Sequence, residues 1–299
     1  MIDPRLKRHP LGFLHVAEPP TAEELSAYYA QTYYQQEKAL YRKSYPDEEL
    51  AYFRAKTEQH AALAGRLRQE EEGGSFLDVG CGEGFAMRWF SDHGWSVDGI
   101  DFSSAGLAQM NPDLLAKAEA GDVFQLLEQR IESGRRYDIV WLKHVLEHVI
   151  DPIGLLSSLK RLVAETGVLV VTVPNDGSEY QEHLLERGAI DERFWIALPD
   201  HLSYFRRESL ENAARSVGWE VKDVLADFPI DFFLLHDGSN YVRDRAQGPS
   251  AHRARIQLEL LLAAKPADEV NQFYRSMARV GLGRNIIAFL MHREDRVTQ

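Results

Sequence analysis

Ser75-Phe76-Leu77-Asp78-Val79-Gly80-Cys81-Gly82-Glu83-Gly84-Phe85 is the stretch whose reading decides the fold. Phe76, Leu77 and Val79 make a short apolar run that suits a buried strand. Gly80, Gly82 and Gly84 alternate behind it, and Phe85, Trp89 and Phe90 then recur at helical spacing. The order is strand, tight turn, helix. Glycines at such a turn let the backbone bend sharply and let a ligand come close to the main chain. The helix N-terminus that follows is expected to offer N–H groups to that ligand.

A dinucleotide site wants G-x-G-x-x-G. Here the spacing is G-x-G-x-G, with Asp78 two residues ahead of the first glycine. An acid at that place repels a pyrophosphate and suits a cationic ammonium group. The stretch resembles the first motif of the class I S-adenosylmethionine-dependent methyltransferases, D-x-G-x-G-x-G, with Asp78, Gly80, Gly82 and Gly84 at the matching positions. That resemblance implies a Rossmann-like α/β fold with a seven-stranded sheet whose last strand is antiparallel, and S-adenosyl-L-methionine as cofactor. Cys81 lies inside the turn and reads as a small residue of the right size, not as a nucleophile.

Working outward, residues 95–100 read as a second strand ending at Asp101. An acid about 20 residues beyond the glycine turn, at the end of the next strand, can accept from both ribose hydroxyls. Asp101 is therefore the expected ribose residue and Phe102 the adenine neighbour. Ser103 and Ser104 are placed to cap a helix over residues 105–110. In Gly121-Asp122-Val123, Asp122 resembles the family's polar residue beside the adenine amino group, with Val123 next to it; a plain turn aspartate is the alternative. Lys143, closing the strand expected over 137–142, completes the cofactor set together with Tyr33. The latter belongs to a tyrosine-rich segment (Tyr28, Tyr29, Tyr33, Tyr34, Tyr41, Tyr45) that reads either as a lid or as core packing.

Two further segments face the acceptor. Lys143-His144-Val145-Leu146-Glu147-His148-Val149-Ile150-Asp151-Pro152 is similar to the E-H-V-x-D-P turn that many small-molecule methyltransferases carry past their fourth strand, at the sheet edge where α/β folds bind ligands. His144, Glu147 and His148 at i, i+3 and i+4 share a face if the segment is helical. A comparable Glu-x-x-Glu-His group in ubiquinone-pathway O-methyltransferases is linked to a divalent metal, but here His144 replaces the first glutamate. Bracing of the loop is the reading preferred over metal binding by His144, Glu147 and His148. His201-Leu202-Ser203-Tyr204-Phe205 matches an H-x-x-Y-F pattern seen in methyltransferases of polysaccharide and natural-product pathways. A histidine, with an ordinary pKa of about 6.5, can accept a hydroxyl proton at neutral pH. His201 is thus the first choice of catalytic base and His148 the second, with Glu147 beside them.

The organisation expected over the 299 residues is a helical N-terminal cap (1–72), a cofactor-binding core (73–227), a helical insertion (228–283) and a final core strand with tail (284–299). The insertion is either a second pocket wall or a homodimer contact. A formal charge of −12, from 34 basic and 46 acidic residues, disfavours long nucleic acids as partners. One cysteine excludes an internal disulfide, and no apolar run approaches a membrane span; a cytoplasmic enzyme is expected. The leading function is methyl transfer to a hydroxyl of a sugar, glycan or similar polar small molecule. The alternatives are N-methylation of an amino sugar, a non-catalytic S-adenosylmethionine-binding partner protein, and a nicotinamide-dependent dehydrogenase, the last weakened by Asp78 and the glycine spacing.

Overall fold

A computed structural model describes residues 3–28, 44–70 and 73–293. A short hairpin, β1 (Leu6–Arg8) and β2 (Leu14–Val16), precedes α1 (Ala22–Tyr28). Thr21 and Glu24 form a reciprocal cap of α1: the Glu24 N–H donates to Thr21 Oγ1 (3.2 Å) and the Thr21 N–H to Glu24 Oε2 (2.8 Å). Helix α2 spans Asp47–Arg68, as its apolar spacing predicts. Then come β3 (Ser75–Val79), α3 (Phe85–Asp92), β4 (Ser96–Asp101), α4 (Ala105–Met110), β5 (Ala118–Ala120) and α5 (Val123–Glu132). The second half runs β6 (Tyr137–Lys143), α6 (Pro152–Lys160), β7 (Val163–Pro174), α7 (Glu179–Glu186), β8 (Ser203–Tyr204), α8 (Arg207–Ser216) and β9 (Trp219–Ala226). It closes with α9 (Gly248–Ala263), α10 (Ala267–Arg279) and β10 (Asn285–His292).

The main sheet has seven strands in the order β5-β4-β3-β6-β7-β10-β9. The strands β5, β4, β3, β6 and β7 are parallel to their neighbours, and β10 inserts antiparallel between β7 and β9. This is the Rossmann-like methyltransferase arrangement that the glycine turn implied. Helices cover both faces, so the central strands are apolar on both sides; every residue from Val168 to Val173 is buried. Phe76 of β3 stacks on Phe90 of α3 with centroids 3.8 Å apart, and Trp141 of β6 meets both edge-on at 5.6 Å. That aromatic cluster anchors the helix behind the glycine turn to the sheet.

A second, smaller sheet, β1-β2-β8, lies apart from the first. The N-terminal segment, expected to be helical in the main, begins with short strands: Leu14 pairs with Tyr204 and His15 with Ser203. Leu6, Val16, Leu184, Ile190, Trp195, Leu202, Tyr204 and Leu234 form the core of this cap. The stretch 176–199 contains α7, started by a capping box between Ser178 and Gln181. Tyr29, Tyr33, Tyr34 and Tyr41 lie outside the described residues. Among the described residues no helix is long and apolar enough to cross a membrane.

Candidate active site

The parallel strands β3, β4 and β6 end together, Val79 pairing with Ile100 and lying opposite Leu142. The glycine turn leaves the sheet at this edge. Gly80, Gly82 and Gly84 all adopt left-handed backbone, with φ of +80°, +53° and +75°. Their surroundings differ. A Cβ on Gly80 would collide with Val145 Cγ2, whereas a Cβ on Gly82 would meet nothing within 4 Å. Gly80 permits close packing of two protein segments; Gly82 fronts open space where a ligand can lie against the main chain.

The glycine turn itself spends its N–H groups within the protein. The N–H groups of Gly80 and Cys81 donate to Ile100 O (2.7 and 3.1 Å), that of Gly84 to Cys81 O (2.8 Å), and that of Gly82 to Asp101 Oδ2 (2.8 Å). The bend satisfies these four groups itself, so what its glycines give a ligand is proximity. Cys81 is buried, and burial pushes its thiol well above the ordinary range, which removes it as a nucleophile.

Asp101 ends β4 beside the turn. Besides Gly82 it accepts the Ser103 N–H on Oδ1 at 3.0 Å. Burial raises its pKa, against the pull of those backbone donors. These backbone donors take part of the carboxylate's acceptor capacity, and its remaining lone pairs can accept from a sugar diol. Gly121 N donates to Asp101 O (2.9 Å), bringing Asp122 and Val123 to the same edge. Asp122 is the N-cap of α5, its carboxylate accepting from Gln125 N at 2.9 Å. Capping occupies Oδ1, and the side chain remains exposed at that edge.

Asp78 is 4 % exposed. Burial, reinforced by Asp101 and opposed by Lys143, raises its carboxyl from 3.8 to about 7. Because the folded value lies above the unfolded one, Asp78 favours folding below pH 3.8 and loses that contribution as pH climbs through 7. A cation bound nearby stabilises the carboxylate and expels the proton. Binding of S-adenosylhomocysteine near pH 7 is therefore expected to release up to about half a proton. Calorimetry in buffers of differing ionisation enthalpy checks this: a binding heat independent of buffer would remove Asp78 from the site.

Lys143 borders a cavity of about 180 Å³ together with Glu83, Phe85, His144, Phe53, Trp141 and Thr172. Desolvation lowers the Lys143 amine pKa, with Asp78 pulling the other way. Glu83 accepts a hydrogen bond from Tyr45 Oη at 2.6 Å, so one of the tyrosines of the N-terminal segment does reach the glycine turn.

The acceptor side is built on the turn after β6. It is a tight turn and not a helix. His144 sits at φ +54° with its N–H bonded to Thr172 O (3.0 Å), which keeps it at the sheet edge and precludes a helical start there. The turn still gathers the side chains. His144 Nδ1 lies 3.2 Å and His148 Nε2 3.8 Å from Glu147 Oε1. Glu147 O accepts the N–H groups of Leu202 and Ser203 at 2.8 and 3.0 Å, which brings His201 alongside. The His148 and His201 rings stand edge-on with centroids 4.9 Å apart.

His148 Nδ1 is 2.9 Å from Asp200 O and 3.3 Å from Asp200 Oδ1. Burial alone would depress it, but Asp200 and Glu147 outweigh burial and raise its pKa to about 9. Glu147, His148 and His201 offer ligand atoms all within 4.8 Å of one another. Glu147 Oε2 is buried without a hydrogen-bond partner, an unusual cost for a carboxylate oxygen.

Sequence reasoning missed Asp176, Asp200 and Arg284. Asp176 contacts His201 Nδ1 at 3.2 Å, and Arg284 Nη1 donates to Asp176 Oδ1 at 2.6 Å. A topological signal existed: Asp176 follows the end of β7, and Arg284 precedes an antiparallel strand, so both fall at the edge where the parallel strands end.

An α/β sheet of this order, with an open glycine turn at its edge and a carboxylate one βα unit later, defines a class I S-adenosylmethionine-dependent methyltransferase. Gly82 and Asp101 fit that cofactor: one leaves space against the main chain, the other has acceptor capacity for a diol. A family model described as "Methyltransferase domain" matches residues 48–224, more than half of the chain, and the chain belongs to that family. A ubiquinone biosynthesis O-methyltransferase from Pseudomonas paraeruginosa is 31% identical over 180 residues, covering 56% of this chain and 70% of the relative. Among solved structures, a SAM dependent methyltransferase from Archaeoglobus fulgidus superposes with a TM-score of 0.52 at 17% identity, covering 87% of this chain and 99% of that one. The plantazolicin methyltransferase BamL, in complex with triazolic desmethylPZN analog and SAH, gives 0.52 at 13% identity over 91% and 95% of the two chains. At these identities the structural likenesses speak to the fold.

Proposed function

We propose that the chain transfers a methyl group to a hydroxyl of a polar small molecule, a sugar or glycan being the leading acceptor class. The observation that carries the reading is the carboxylate-bound His201 beside the turn after β6, where the N–H groups of Leu202 and Ser203 donate to Glu147 O. When bound, S-adenosylmethionine supplies a methyl carbon on an already electrophilic sulfonium, so the chain's tasks are alignment, exclusion of water and removal of a proton.

Gly80, Cys81, Gly82 and Gly84 shape the wall along the donor's amino-acid tail. Asp78 answers its ammonium and Lys143 its carboxylate. Asp101 takes the ribose diol, while Phe102, Asp122 and Val123 border the adenine. Tyr33 belongs to the proposed lid, outside the described residues. His201 takes the acceptor proton. His148, charged through neutral pH, acts as a cationic donor beside the developing oxyanion instead of as a second base. Asp176, Asp200, His201 and Arg284 make this side rich in hydrogen-bonding groups, which suits an acceptor with several hydroxyls.

The test is transfer of labelled methyl from S-adenosylmethionine to a panel of nucleotide sugars and glycans. Hydroxylated ubiquinone precursors belong in the same panel, because the named relatives point there. Turnover only on amines would move the reading to N-methylation. Tight binding of S-adenosylhomocysteine with no turnover on any acceptor would favour a non-catalytic partner protein.

A second reading draws on the unpartnered Glu147 Oε2: a divalent ion held by Glu147, His148 and His201, with His144 next to Glu147, would orient the acceptor oxygen. The metal-free reading predicts that kcat survives chelation verified by elemental analysis. Loss of activity restored by a divalent cation would establish the metal reading instead.

A further inference from the structure

Asp176 is 3 % exposed, and both of its oxygens are engaged. Oδ2 lies 3.2 Å from His201 Nδ1 and Oδ1 accepts from Arg284 Nη1 at 2.6 Å. The guanidinium of Arg284, always charged, pairs with this buried carboxyl and keeps it ionised. An ionised carboxylate only accepts hydrogen bonds, so Nδ1 must carry the imidazole hydrogen. Nε2 then keeps its lone pair. The nearest carboxylate oxygen to Nε2, Asp200 Oδ2, stands 3.9 Å away, beyond hydrogen-bond length.

Asn175 fixes the frame around this pair. Its N–H donates to Arg284 O at 2.9 Å, and its amide nitrogen donates to Gly281 O and Gly283 O, both at 3.1 Å. It also bridges to Phe205, four residues past His201. The end of β7, the His201 segment and the loop ahead of β10 are therefore tied at one residue.

We propose that Asp176 and Arg284 are positioning residues that set His201 in the Nδ1–H tautomer, leaving Nε2 as the proton acceptor for the substrate hydroxyl. The inference rests on the reading of His201 as base. Arg284 claims Oδ1, so Asp176 has one oxygen left for His201 and the carboxylate cannot turn. Asp200, His148 and Tyr204 also face the imidazole, but none of them reaches Nδ1.

The substitution Asp176→Asn makes the logic testable. Arg284 needs an acceptor, so the new amide turns its oxygen to Arg284 and its NH₂ to His201. Nδ1 must then accept, and Nε2 acquires the hydrogen. With S-adenosylhomocysteine bound, ¹⁵N imidazole shifts, assigned by comparison with His201→Ala, are expected to report Nδ1–H in the native protein and Nε2–H in Asp176→Asn. Turnover on whichever acceptor of the panel reacts should fall about 10²–10⁴-fold, with KM and cofactor affinity within about threefold. Adding Arg284→Met frees the amide to flip, so the double variant should recover Nδ1–H and part of kcat.

An Nε2–H signal in the native protein overturns the proposal even if the variants do not fold. So does a kcat within about threefold of native in Asp176→Asn. If His201→Ala abolishes turnover while Asp176→Asn does not, this inference fails and the base assignment stands. If His201→Ala is fully active, the base assignment fails first.

Discussion

Gly82→Leu is expected to remove cofactor binding while leaving the fold in place. A side chain at Gly82 meets no protein atom within 4 Å, so it projects into the space the donor would occupy. The backbone there, at φ +53°, is left-handed, which costs a non-glycine residue roughly 1–2 kcal/mol. For a chain of this size that is a Tm loss of about 2–8 °C, well short of unfolding. A leucine in the donor's path should weaken S-adenosylhomocysteine binding by at least about 100-fold, or roughly 2.7 kcal/mol. The contrast with Gly80 sharpens the test. A Cβ at Gly80 strikes Val145, and one at Gly84 strikes Leu107, so substitution at either damages the protein itself. Calorimetric titration beside a melting curve separates the two effects. Native affinity in a folded Gly82→Leu protein would place the ligand elsewhere.

His201→Ala is expected to lower kcat by about 10²–10⁴-fold, the ordinary contribution of a positioned general base. Affinity for S-adenosylhomocysteine should stay within about twofold, because His201 is held through Ala197 O and Asp176, not by the glycine turn. The variant should fold, since His201 makes its contacts at the edge of the cap and the apolar residues of that cap are untouched. Full activity would remove His201 as the base; a parallel loss of cofactor affinity would make it part of the donor pocket.

The difference between those two experiments mirrors how the chain could be read. The donor half is local in sequence. Asp78 through Phe85 form one strand-turn-helix unit, and Asp101 follows one βα step later, so a run of neighbours carries the signal. The final strand expected within 284–299 is β10, because the apolar run from Ile286 to Met291 is itself a local signal. At 144–148 the i, i+3, i+4 spacing gathers side chains without a helix, because consecutive tight turns also wrap them around one carboxylate.

By itself the sequence determined the sheet, the acid-and-glycine bend at its edge and the class of cofactor, because short-range spacing dictates each of them. Only the tertiary structure decided what surrounds His201. Asp176 and Arg284 are separated by more than 100 positions, and they meet because β10 runs antiparallel and starts at the edge where β7 ends. Hydrogen-bond partners brought together by strand direction leave no periodic trace in the chain, so burial and geometry had to supply them.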